Sequence, residues 1–139
     1  VFVVFMVLTT IYALVRMAQR DSSWHITGEN LLLLTIKFLL VGIAEETVFR
    51  GWGYNLLRKV HSNIVSLIIS TFLFVILHWP AYFIMYLLYG SFHWSGMLAQ
   101  SISALFCGLL FAAMFQKGGT LWNPILAHFY YDWILAVSA

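Results

Sequence analysis

The sequence predicts an all-α protein, a polytopic transmembrane bundle of about five membrane helices. Three observations carry that prediction. Of 139 residues, 63% are hydrophobic and 9% charged, where a soluble domain carries roughly 25% charged residues. The mean hydropathy is +0.92. Apolar runs of membrane-crossing length also alternate with short polar breaks along the whole chain.

Residues 1–18 are the first expected span, with Arg16 and Arg20 marking its end. Residues 20–30 are polar and read as a loop in which Trp24 and His25 suit an interfacial position. The second span, 31–57, carries Lys37, read as snorkelling, and Gly51-Trp52-Gly53, which loosens a helix or admits a close neighbour. Arg58, Lys59 and His61 close it at a membrane surface.

Residues 64–89 are long for one straight span. Pro80 breaks the run, so the reading is a helix over about 63–79 and a shorter element to Tyr89. The fourth span covers 95–116, with Ala104, Gly108 and Ala112 as a small-residue stripe for close helix packing. Lys117-Gly118-Gly119-Thr120 reads as a stop and turn. The last span starts at 121, with Pro124 in its first turn.

Other features bound the function. A net charge of +2 gives no footprint for a nucleic-acid partner. Cys107 is the single cysteine, so no disulfide forms within the chain and no thiolate cluster holds a metal. The chain opens on Val1 inside an apolar run, which reads as a fragment or trimmed domain. Arg16 and Arg20 against Arg58, Lys59 and Lys117 leave the membrane orientation open.

The chemistry centres on Ala44-Glu45-Glu46-Thr47-Val48-Phe49-Arg50, in the middle of the second span. Each ionised side chain at that depth costs roughly 2.5–3.5 kcal/mol, so these groups should face protein or a water-filled cavity. Glu46 and Arg50, four apart, are in ion-pair reach. Glu45 lies about 100° round the helix from Glu46. The bland alternative is an ion pair that pins two helices.

His78 lies near the middle of the third run, and His128 and Asp132 are four apart near the middle of the last. Carboxylates and imidazoles at one depth support three chemistries. A desolvated carboxylate is a stronger base than one in water and suits water activation. Glutamate and histidine are also zinc ligands, although no His-Glu-x-x-His occurs. An acid–histidine chain can relay protons or ions. No Gly-x-Ser-x-Gly is present, and no serine or cysteine adjoins a histidine.

Glu45-Glu46-x-x-x-Arg50 resembles the first motif of the CAAX protease and bacteriocin-processing (CPBP) family, also called Abi, of intramembrane endopeptidases. Phe74-Val75-Ile76-Leu77-His78 resembles its second motif, Phe-x-x-x-His. His128-Phe129-Tyr130-Tyr131-Asp132 resembles its third, His-x-x-x-Asn/Asp. The three occur in family order on separate expected helices. The resemblance covers about 31–139, with 1–30 as a preceding helix and loop, and implies one domain over 1–139.

The resemblance implies that Glu45 is the general base, that His78 helps to position the water, and that His128 and Asp132 stabilise the oxyanion. Glu46 and Arg50 would support the site, Glu46 with a further contact to the water, and Phe74 would pack one turn from His78. Asp132 stands where many members have asparagine; it donates to an oxyanion only when protonated, and it keeps a zinc variant open beside the metal-free one. The substrate class implied is a peptide or protein; prenylated CAAX proteins, bacteriocin leaders and signalling peptides are all compatible. The location implied is a bilayer, by resemblance a bacterial cell membrane. A non-proteolytic immunity or scaffold protein is the alternative. Residues 79–94 read equally as a substrate gate and as packing.

Overall fold

The structure, a computed structural model, describes residues 1–19 and 28–138. The loop residues Arg20, Trp24 and His25 lie outside the described residues. The chain runs through α1 (Phe2–Ala18), α2 (Gly28–Glu46), a π-helix (Thr47–Tyr54), α3 (Asn55–Leu57), α4 (Asn63–Ile76), α5 (Trp79–Tyr89), α6 (Trp94–Gly118) and α7 (Trp122–Val137). No strand occurs among the described residues. These elements form five helical segments, and the all-α bundle prediction holds.

Two boundaries differ from expectation. α2 begins at Gly28, so part of the expected loop is helical; Glu29 lies in its first turn, where the helix dipole favours a carboxylate. The third segment breaks earlier than expected. α4 ends at Ile76, and Pro80 sits in the first turn of α5. A proline there loses no hydrogen bond, because a first-turn N–H has no partner within its helix. Pro80 therefore starts α5 rather than ending α4.

The described elements fall into two compact units. The first contains α1, α2, α7 and the last turn of α6. Phe5, Thr9 and Ala13 recur every four residues and form the buried face of α1. α1 packs on α7, with the Phe5 and Tyr131 rings 6.0 Å apart. α2 packs on α7 from another side, and Gly42 allows a close approach. A Cβ at Gly42 would lie 3.1 Å from the Ile125 carbonyl oxygen and 3.3 Å from the Phe129 nitrogen.

The second unit holds the π-helix, α3, α4, α5 and most of α6. Phe74, Val75 and Ala104 form its core, with Phe49 and Trp79 packed against them. The expected small-residue stripe faces inward: Ala104 and Ala112 are buried, and Gly108 lies against Thr71, Arg50 and Phe74. α5 has no buried residue and is tied to α6 by two hydrogen bonds. Trp79 Nε1 donates to Ser101 Oγ (3.0 Å), and the Tyr82 hydroxyl donates to the Gly96 carbonyl (3.1 Å). Gly90 at φ 71° caps α5, and Gly119 at φ 63° follows α6, both in the left-handed region that glycine adopts without a Cβ penalty.

The outer helix faces are apolar. Val3, Leu8, Leu33, Ile64, Leu87 and Leu98 are each at least 60% exposed, a liability in water and the normal condition in lipid. The continuous 63–89 segment and α6 are long and apolar enough to cross a membrane.

Candidate active site

His128, on the buried face of α7, is the hub of the first unit's polar cluster. Its Nδ1 donates to Glu46 Oε1 at 2.9 Å. Its Nε2 lies 3.8 Å from Glu45 Oε2 and 3.4 Å from Asp132 Oδ2. Glu45 and Glu46 are neighbours in sequence, yet they address the two nitrogens of one imidazole. Adjacent helical positions diverge by about 100°, which separates the two carboxylates enough to reach both edges of a ring docked from α7. Asp132 reaches Nε2 from one turn along α7, the spacing at which helical side chains meet.

Exposure sorts the carboxylates. Glu46 is fully buried, whereas the Glu45 and Asp132 side chains are 31% and 27% exposed. Glu46 is therefore a sealed anchor that fixes the ring. Glu45 and Asp132, each partly exposed, flank the Nε2 edge of the ring. Because Nδ1 donates to Glu46, the neutral ring presents a lone pair at Nε2. It presents a donor there only as the imidazolium.

The second unit carries Arg50, Phe74 and His78. Arg50 is buried in the π-helix. Its Nη2 donates to the Gly108 carbonyl at 3.0 Å, and its guanidinium lies 4.6 Å from the Phe74 ring centre and 5.7 Å from that of Phe111. The widened helix holds Gly51 and Gly53; a Cβ at Gly53 would lie 3.2 Å from the Val48 carbonyl oxygen. The expected loosening at these glycines thus takes the form of a π-helix, a geometry frequent at functional sites.

His78 follows α4 in the turn before α5. Its Nδ1 donates to the Phe74 carbonyl at 2.7 Å, and its ring meets Phe74 edge-on at 4.8 Å. Phe74 thus packs one turn from His78, as the motif implies. A carbonyl only accepts, so Nδ1 carries the proton, and Nε2 of the neutral ring is an acceptor.

A zinc ion would have to draw its ligands from these carboxylates and imidazoles. Glu46 behind the His128 Nδ1 resembles the carboxylate that orients a metal-bound histidine. Among the described residues, however, no group of three or more His, Cys, Asp and Glu side chains is arranged to hold a metal ion.

Residues that the three motifs do not specify also shape the cluster. Gly42 brings α2 against α7, Tyr130 bonds Thr10 of α1, and Trp133 bonds Thr35 of α2. A glycine one turn before Glu46, and hydroxyls within apolar helices, are the only sequence signals they leave.

Ionisable groups enclosed by strongly apolar helices are what a polytopic membrane protein with a functional polar site requires. The family model for type II CAAX prenyl endopeptidase Rce1-like proteins matches residues 27–134, and the chain belongs to that family. It is thereby a membrane-embedded protease that acts on peptide or protein substrates. No curated protein and no solved structure matches the chain.

Proposed function

We propose that this protease hydrolyses its peptide bond with a water activated by Glu45, with no covalent intermediate. The observation that carries the reading is the grip on His128: a sealed Glu46 on Nδ1, and the partly open Glu45 and Asp132 beside Nε2. That arrangement gives each carboxylate a separate task. Glu45 takes a proton from water as the oxygen attacks the carbonyl carbon. The oxyanion is met by Nε2–H of the His128 ring in its imidazolium form and by Asp132 in its protonated form. Collapse of the tetrahedral intermediate breaks the C–N bond, and the proton held by Glu45 passes to the leaving amine. Glu46 keeps the ring in register throughout. The role the resemblance gives His78, holding the water, is tested by His78→Ala in the same assay.

The proposed substrate is a protein with a prenylated C-terminal CAAX sequence. Outward apolar faces in contact with lipid suit a substrate that arrives through the membrane. The proposed location is a bacterial cell membrane.

The test is cleavage of a CAAX peptide series by purified protein in detergent, wild type beside Glu45→Gln, each with and without a zinc chelator. Glutamine is isosteric but cannot take the proton. The expected result is cleavage by the wild type in both conditions and loss of at least about 10²-fold in the variant, with far-UV circular dichroism unchanged. Full activity in Glu45→Gln refutes the general base. Loss of wild-type activity with chelator refutes the metal-free reading.

A further inference from the structure

α7 is tied to α1 and to α2 by side chains at positions the three motifs leave unspecified. The Tyr130 hydroxyl lies 2.6 Å from Thr10 Oγ1, and Thr10 Oγ1 lies 2.7 Å from the Met6 carbonyl. A threonine hydroxyl has one proton. Thr10 gives that proton to Met6, so Tyr130 is the donor to Thr10. Trp133 repeats the device on α2: its Nε1 donates to Thr35 Oγ1 (3.0 Å), which donates to the Leu31 carbonyl (2.8 Å). Each relay ends on the backbone of the helix that receives it, so each ring is tied to a helix rather than to a mobile side chain.

The angular positions show what these ties control. At about 100° per residue, Asp132 lies about 40° from His128 on α7, and Tyr130 lies about 200° from His128. Tyr130 thus anchors the back of α7, opposite the working pair. For a helix about 10–12 Å across, a rotation of about 20° moves a side-chain tip by about 2 Å. That is enough to undo the 2.9 Å bond from His128 Nδ1 to Glu46.

We infer that Tyr130 is a positioning residue: through Thr10 of α1 it sets the rotation of α7 and so holds His128 and Asp132 against Glu46 and Glu45. α1 lies outside the region matched by the family model. This element therefore serves the site through a contact of its own. The consequence for catalysis rests on the proteolytic reading; the placement of His128 does not.

The experiment compares wild type, Tyr130→Phe, Thr10→Val and Thr10→Ser in detergent, with two readouts. The first is CAAX-peptide cleavage. Tyr130→Phe and Thr10→Val should each lower kcat roughly tenfold to 10²-fold, the upper figure being the scale of a 1 Å misplacement, with KM within about twofold. Thr10→Ser, which keeps the hydroxyl, should retain activity. The second is the proton NMR resonance of the His128 Nδ1–H, assigned by its loss in His128→Gln. It should lie downfield in wild type and Thr10→Ser and move upfield in Tyr130→Phe and Thr10→Val. Unchanged kcat with an unmoved resonance in Tyr130→Phe overturns the inference. If the wild type cleaves no peptide, the proteolytic reading fails by itself. The resonance then decides the positioning role: a shift in Tyr130→Phe supports it and no shift overturns it.

Discussion

Gly108→Ala gives a quantitative test of how the second unit is packed. The added Cβ would lie 2.8 Å from Thr71 Cγ2, 3.3 Å from Arg50 Nη2 and 3.4 Å from Phe74 Cδ1. Thr71 and Arg50 are each 1% exposed and Phe74 is 2% exposed, so none can swing into open space. Overpacking of this kind costs about 1–3 kcal/mol. Alanine recovers up to about 1 kcal/mol of helix propensity. With the full recovery, the net expectation is a loss of about 0–2 kcal/mol, up to a factor of about 30 in the folded-to-unfolded ratio. The assay is denaturant unfolding in mild detergent, followed by circular dichroism. Thr71→Ser removes Cγ2, the closest atom, so Gly108→Ala in that background should cost at least about 1 kcal/mol less than in the wild type. A Gly108→Ala protein as stable as wild type, with no coupling to Thr71→Ser, would refute the packing argument.

Two other substitutions probe the charged groups. Arg50→Lys should destabilise the protein by about 2 kcal/mol or more in the same unfolding assay, because an ammonium on a flexible stem cannot reproduce a planar guanidinium bonded to Gly108 and stacked on Phe74. Asp132→Asn should keep cleavage within about tenfold of wild type, since the amide can donate to an oxyanion. Asp132→Ala should lose about 10²-fold or more, the scale of one oxyanion donor. Equal rates in the two variants would remove Asp132 from the oxyanion role.

Much of this architecture was readable from composition and punctuation. Apolar run lengths located five helical segments, and Gly119 and Pro124 sit where stop and start signals placed them. α4 ends at Ile76, short of the expected 79, because proline signals an end and a beginning alike, and only packing decides between them. The four-residue spacing correctly put His128 and Asp132 on one face. It could not show that Glu45 and Glu46 meet opposite edges of the same ring, because that depends on how α7 docks. The π-helix was legible only as two glycines, and Gly42, Thr10 and Thr35 left no motif at all.

The hydroxyl relays have a consequence for judging natural variants. Threonine and valine are nearly the same shape, and valine is the more apolar, so Thr35→Val would register on any membrane-insertion scale as an improved segment. In the folded protein the same change would strand the Trp133 indole N–H without its acceptor. Variants at such positions are misranked by hydrophobicity; what identifies the position is whether an aromatic donor from a neighbouring helix ends on it.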